Sequence, residues 1–462
     1  MLCANTRWIR NFAALAVFTV VFAFSGPRAK ADPPTTIPAG GPPGHDPYAI
    51  EYNGWQVYPS INFLAENSNN YYLSPGPKIS GWQFGVAPTM TAEWSNGIHT
   101  TTLFGNLQLL ENPTDKEVDQ TNGEATWTQV YAPLRDLNFT VSGDYIHQTI
   151  ASGLTNAIPA PTAFTGTTVL PNGNLQLPNG TIVSPTGQVV GQATAAPNVG
   201  QFSIVNPYDL YTATAKALKY FGDGILTVGG SIARQSYEQT STSPDTSAKT
   251  ITEDSAYWLG SLFYAYSDGA FTWRTTDQNP NSTAYRIVGG IGTRQFGLFR
   301  VSSYFGYQGT GTAGVGPSGG YVYGGALTYY PTPLLTLTAM VDETINHAPA
   351  NAPASTLALG VPVIIPVQIA TSSSVQITGV GLHSAYTITP QWTADAFFTF
   401  TRLQYLGSQA WTNTWVADAS LSYVIWRNLT LRWEYQFSSI VSDVPQTSAS
   451  RNLIQMGTSY RF

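Results

Sequence analysis

The chain has 462 residues, a formal net charge of -6, 10% charged residues and 13% aromatic residues. Ordinary soluble domains carry about a quarter charged residues, and the acidic balance argues against nucleic acid as a partner. A single apolar run, too short to span a bilayer, excludes a helical membrane protein, whereas a barrel of alternating strands never raises a strong hydropathy peak.

Arg7 and Arg10 precede an apolar run from Phe12 to Phe24, followed by Ser25-Gly26-Pro27 and Ala29-Lys30-Ala31. A basic n-region, a short h-region and a small-x-small site predict a signal peptide over residues 1–31, cleaved after Ala31. Cys3, the only cysteine, leaves with it, so the mature chain has no disulfide, thiol nucleophile or thiolate metal site. Residues 32–53 begin with Pro33, Pro34, Pro38, Pro42, Pro43 and Pro47 and read as a Pro-rich periplasmic leader.

From Gly54 to Phe462 the pattern predicts one barrel of about eighteen antiparallel strands, with sixteen as the even alternative. Short connections are expected at Ser95-Asn-Gly97, Ala132-Pro-Leu-Arg-Asp136, Gly222-Asp-Gly224, Ser267-Asp-Gly269, Thr293-Arg-Gln295, Pro331-Thr-Pro333, Thr389-Pro-Gln391 and Trp426-Arg-Asn428. Gly, Pro, Asn and Asp in them suit tight hairpins. Longer connections fall between, near 67–77, 112–120, 151–206, 240–250, 278–282, 308–318, 347–372, 406–411 and 440–451. Sorting of lengths by parity is what a bacterial outer-membrane barrel shows, with short periplasmic turns and long outer loops.

The strands alternate accordingly. Leu429, Leu431, Trp433, Tyr435 and Phe437 oppose Thr430, Arg432, Glu434 and Gln436, and Trp82, Phe84, Val86, Met90 and Trp94 oppose Gln83, Thr89, Thr91 and Glu93. The apolar set is assigned to lipid and the polar set to a wet lumen. Segments 252–266 and 373–388 alternate poorly.

Residues 151–206, the third outer loop, contain no Asp, Glu, Lys, Arg or His. Leu170-Pro-Asn-Gly173, Leu177-Pro-Asn-Gly180 and Ser184-Pro-Thr-Gly187 recur every seven residues and predict successive type II-like turns. The segment is either a mobile outer loop or one folded into the lumen, where its Asn, Gln and Thr side chains would meet solutes.

Arg274, Arg286 and Arg300 alternate with lipid-side aromatic or aliphatic residues on three successive strands, so all three are expected to line the pore at five to eight residues from their periplasmic turns. Asp342, Asp395, Asp418 and Glu434, with Arg432 among them, are expected to line it on later strands. Such charges either keep the interior wet or set a transverse field that orients dipolar solutes. At the end of the chain Ile454, Met456, Tyr460 and Phe462 alternate with Gln455, Ser459 and Arg461. Tyr460 and Phe462 are read as the assembly signal presented to the barrel-assembly machinery.

Gly54-Trp-Gln-Val-Tyr-Pro-Ser60, Asn69-Asn70-Tyr71, Val86-Ala-Pro88 and Tyr330-Pro-Thr-Pro-Leu-Leu-Thr336 resemble the beta-barrel porin 2 family of Gram-negative outer membranes. The resemblance runs from about Gly54 to Phe462, and at Ser68-Asn69 the chain departs from the family's acidic residues. It implies an outer-membrane barrel, in some members linked with exopolysaccharide export, and supplies no substrate.

His45, His99, His147, His347 and His383 stand at no metal-ligand spacing, and no His-x-x-x-His or Gly-x-Ser-x-Gly motif occurs. No catalytic, cofactor-binding or metal site is therefore expected, and the chain is not read as an enzyme. A barrel of this size encloses an aqueous channel, so the leading expectation is passive diffusion of small hydrophilic solutes across the outer membrane. The alternatives are an accessory to polysaccharide export and a structural or adhesive surface barrel with a blocked lumen.

Overall fold

The computed structural model describes residues 49–71, 73, 78, 80–114, 119–148, 207–237, 245–277, 279–312, 315–347, 374–405, 411–426, 428–443 and 448–461, with short strands inside 168–192 and 356–363. The expected signal peptide, the leader up to residue 48 and Phe462 lie outside the described residues.

The architecture is all-β, a closed antiparallel transmembrane barrel of eighteen strands with one short extra strand. The first nine are Trp55–Ser68 (β1), Gly81–Ser95 (β2), His99–Glu111 (β3), Gln120–Leu134 (β4), Leu137–Gln148 (β5), Tyr208–Phe221 (β6), Gly224–Tyr237 (β7), Thr246–Trp258 (β8) and Phe263–Thr276 (β9). The rest are Asn279–Thr293 (β10), Phe299–Thr312 (β11), Val315–Thr332 (β12), Leu335–His347 (β13), Ser374–Thr387 (β14), Trp392–Tyr405 (β15), Trp411–Trp426 (β16), Leu429–Ser442 (β17) and Ala449–Arg461 (β18). Each pairs with its chain neighbours, and β1 closes the ring on β18, from Ser60 opposite Arg461 to Ser68 opposite Leu453. Closure gives every strand a neighbour on both sides, and the ladders satisfy the backbone polar groups they span, with β12 and β13 paired from Gly324 opposite Asp342 to Thr332 opposite Leu335. The extra strand, Ile50–Tyr52, folds back on Trp55–Val57. Asn53 and Gly54 make the reversal with φ of 54° and 82°, the left-handed pair that a tight primed turn requires.

One expected turn is in the wrong place. Ser267-Asp268-Gly269 lies within β9, and the reversal is Leu259-Gly260-Ser261-Leu262, with Gly260 at φ 108°. Two leucines disguise that turn as strand, and Asp-Gly disguises strand as turn. This also explains the poor alternation over 252–266, which contains parts of two strands. The strand count survives because one reversal replaces another.

Two expected outer loops shrink to two-residue links, because β9 and β10 extend to Thr276 and Asn279 and β11 and β12 to Thr312 and Val315. Gly309 and Gly319 face each other in that last ribbon. Tyr285 and Tyr307 lie across them where any Cβ would collide, so glycines that look like a flexible loop are seats for aromatic rings.

Side chains sort as lipid and water demand. Large apolar residues are exposed on the outside, Ile232 and Phe305 each to 58%. Aromatics gather toward the two ends of the strands. Near the expected periplasmic turns Trp392 stacks on Tyr423 at 4.4 Å and Phe299 on Tyr329 at 4.8 Å. Toward the other end Tyr145 meets Tyr211 at 5.2 Å and Phe400 meets Trp415 at 4.3 Å. Inside, Gln83, Gln108, Asn138, Asp254, Asp342 and Gln436 are buried. An apolar exterior between two aromatic girdles and a polar interior is the inverse of a soluble barrel.

Within 168–192 the short strands Thr168–Val169, Leu175–Gln176, Thr181–Val183 and Val189–Gln192 pair in antiparallel order. The three seven-residue repeats and their expected type II-like turns lie outside the described residues. Whether this segment enters the lumen lies outside the described residues.

Candidate functional site

The candidate site is the inner wall. Arg274, Arg286 and Arg300 share parity with the inward residues Tyr266, Val288 and Tyr304 of their strands, so all three face the lumen. They do not share a level. Arg274 is opposite Ser282, and Arg286 lies four residues further along β10, about 13 Å at the usual strand rise. Arg286 is opposite Gln308, and Arg300 lies eight residues further along β11, about 26 Å. The misplaced turn caused the error: Arg274 is near the outer end of β9, while Arg300 is the second residue of β11.

Each arginine with a described partner is held on the wall. Arg286 Nη1 donates to Asp268 Oδ1 at 2.9 Å, and its guanidinium lies 5.4 Å from the centre of the Tyr304 ring. Arg300 Nη1 donates to the Tyr330 hydroxyl at 2.9 Å. Asp268 stands directly opposite Asp254 on β8, and both are buried. Tyrosines strap these strands together. Tyr266 crosses Gly290 and donates to the Ser303 carbonyl at 3.2 Å, and Tyr304 crosses Gly324 to donate to Asp342. A Cβ on Gly290 or Gly324 would strike the ring above it, so the glycines let the rings lie flat. With Leu218, Ile225, Val288 and Val322 these tyrosines form a compact lining over β6–β12.

The opposite wall carries a cross-strand polar row that runs over the seam. Asp395, Ser420, Glu434, Gln455, Glu66 and Gln83 are successive direct partners from β15 through β18 to β1 and β2. His383 Nε2 lies 4.0 Å from Asp395 Oδ1. Arg432 Nε lies 3.3 Å from Glu434 Oε2 and its Nη2 donates to Ser420 Oγ at 3.2 Å. Asp418 is buried beside Glu434 and Gln436. Asp342, Asp395, Asp418, Arg432 and Glu434 therefore all take the inward face.

At the seam Arg451, 1% exposed, donates Nη2 to Gln436 Oε1 at 3.0 Å and Nη1 to the Tyr71 carbonyl at 3.5 Å, with Glu66 nearby. The first outer connection is drawn onto the barrel here. Asn70 Nδ2 donates to the Ser450 carbonyl at 3.1 Å, the Tyr71 hydroxyl to the Gly81 carbonyl at 2.9 Å, and Leu73 packs on Ile440 and Ala449. Between the two walls, β3–β6 present Gln108, Gln120, Asn122, Glu124, Asp144 and Lys216, with Asn122 Nδ2 donating to Gln108 Oε1 at 3.2 Å.

Sequence reasoning missed Asp268, set in a turn, and Arg451, set in a loop. It gave no role to Asp254 or Glu66. Correct placement of the Leu259–Leu262 turn would have shown Asp268 by parity with Tyr264 and Tyr266. Tyr460 takes the outward face, in register with Ile61 and Leu429.

Fold and inner wall together define a transmembrane β-barrel with a polar, charge-bearing interior. No protein-family model matches the sequence, and no curated protein resembles it closely enough to count as a relative. Among solved structures, OpdL of Pseudomonas aeruginosa aligns at 12% identity over 89% of this chain and 99% of its own, with a TM-score of 0.46. OccK9 (OpdG) of the same organism aligns at 13% identity over 88% and 98%, TM-score 0.46. The siderophore receptor PirA from Pseudomonas aeruginosa aligns at 7% identity over 87% and 80%, TM-score 0.41. Likeness at this level says nothing of solute or mechanism.

Proposed function

We propose that the protein is an outer-membrane channel for passive diffusion of small hydrophilic solutes. The observation that carries this reading is the inversion of the barrel: an exposed apolar belt encloses a wall lined by Gln, Asn, Asp, Glu and Arg. Hydrocarbon explains the outside, and an inward face so rich in charged and amide side chains suits an aqueous path through the ring. Arg274, Arg286 and Arg300, at successive depths along one wall with Asp342 held beside them through Tyr304, and Asp395, Asp418, Arg432 and Glu434 on the other wall act on dipolar solutes in passage. The reading assigns no catalytic residue and no cofactor. Its partners are outer-membrane lipid, the barrel-assembly machinery and the solutes. Reconstitution into planar bilayers is the test: discrete conductance steps and swelling of sugar-loaded liposomes are expected, and a sealed bilayer at high protein load sinks the reading.

A blocked lumen is the second reading, favoured by the inward fold of Asn70, Tyr71 and Leu73 at the seam. The same bilayers separate the two.

A further inference from the structure

The outward face carries charges besides those of the lumen, and most are matched. Lys219 Nζ lies 2.5 Å from Asp136 Oδ2, and Asp209 accepts from His147 and from the Tyr145 hydroxyl at 2.9 and 2.8 Å. Glu343 accepts from Thr378 Oγ1 at 3.2 Å, and Arg402 lies 5.9 Å from the centre of the Trp411 ring. Arg234 on β7 and Lys249 on β8 are different. Both are exposed and share the outward parity of Ile232 and Ile251. Arg234 is opposite Ser247 and Lys249 is two residues further on, a diagonal spacing of about 7–8 Å. Among the described residues one acid faces the two of them: Asp245 Oδ2 lies 3.8 Å from Arg234 Nη2 and also accepts from Ser236 Oγ at 2.8 Å and from the Tyr237 backbone N–H at 3.0 Å, which leaves the group with one more cation than acid.

Lys249 lies directly between Ile232 and Trp273 in the cross-strand row, and Trp273 packs on Phe271 at 4.3 Å. That places both cations at the aromatic girdle, each three residues from the end of its strand opposite the periplasmic turns. Two cations against one acid at the edge of a hydrocarbon belt call for a further anion, from the membrane itself. A phosphate between an arginine and a lysine, with acyl chains running down Ile232, Ile251 and Val228, satisfies charge and apolar surface together.

We propose that Arg234, Lys249 and Trp273 bind the phosphorylated headgroup of an outer-leaflet glycolipid of the lipid A type. The proposal rests on the outer-membrane placement argued above. The test uses the full barrel refolded in dodecyl maltoside, with diphosphoryl lipid A as the probe and native mass spectrometry as the readout. Arg234→Gln with Lys249→Gln should weaken retention about tenfold or more, while Lys219→Gln, at the other end of the same face, leaves it unchanged. Heat-modifiability of each variant confirms that it is folded. Equal retention by the double variant, or equal binding of dephosphorylated lipid A or of phosphatidylglycerol, overturns the assignment. Conductance of the same preparation reports on the channel separately, so loss of one result leaves the other standing.

Discussion

Arg286 is bound to Asp268 across β9 and β10, Nη1 to Oδ1 at 2.9 Å, with both side chains largely shielded from water. Around them acids flank the guanidinium on both sides: Asp254 faces Asp268 from β8, and Tyr304 carries the contact on to Asp342. A buried pair of this kind is costly to break from one side, because the survivor keeps its charge without its partner. Asp268→Asn should therefore destabilise the folded barrel by about 3–5 kcal/mol. Adding Arg286→Gln should return much of that loss. Urea titration of the reconstituted protein measures it, and purely additive single-variant losses would show that the two side chains are not coupled.

The seam makes a second comparison possible. Arg451→Met removes a guanidinium that is buried among Gln436, Tyr71 and Glu66. Lys219→Gln breaks an exposed ion pair with Asp136. Exposed pairs are worth roughly 0–1 kcal/mol, so the first variant should lower the temperature of heat-modification on a gel by far more than the second. Equal shifts would mean that the first outer connection is not anchored by Arg451.

Orientation is checked by tags. Epitopes at Gly97, Thr332 or Arg427 should be hidden on intact cells, and epitopes at Gly311 or Ala350 should be reached by antibody. Gly97 and Thr332 belong to the end with the short turns, Gly311 to the other, and Arg427 and Ala350 lie outside the described residues. Surface labelling at any of the first three reverses the barrel.

Removal of Phe462 should reduce the amount of folded barrel in the membrane, since the aromatic that follows Tyr460 in the outward alternation is the expected handle for insertion. Unchanged levels of heat-modifiable protein would show that the signal lies elsewhere.

Replacing Arg274, Arg286 and Arg300 with glutamine should shift the reversal potential toward cations, most at low salt where screening is weak. Because the three sit at different depths, single replacements should shift it unequally. Identical selectivity in the triple variant would remove them from the solute path.

What the sequence made legible follows the hydrocarbon. Trp392–Phe400 and Leu429–Phe437 announce themselves because lipid requires an apolar residue at every second position there. Beyond the belt water wets both faces, the ladder of hydrogen bonds continues, and the pattern fades. For that reason Lys249 reads as loop although it is a strand residue, and the Gly309–Gly319 ribbon reads as a flexible link. Arg451, buried on the inward face, reads as loop because the mostly polar residues Pro445–Asn452 around it hide the start of β18. Inside, parity shows which way Arg274 and Asp395 point. Depth depends on each turn being placed correctly, and a single Asp-Gly inside β9 was enough to misplace Arg274.

The ring closes between the first and last strands, and the contacts that fasten it join residues very distant in the chain: Asn70 and Ser450 are 380 positions apart. Until β18 has arrived, β1 has an unpaired row of N–H and C=O groups, and so does whichever strand was added last. No half-finished barrel can be stable in lipid on its own terms, because an open edge has nothing there to bond to. Membrane crossing is thus tied to the arrival of β18. The N-terminal half must keep its sticky edge guarded until then, and any truncation that removes β18 should yield aggregate rather than a smaller pore.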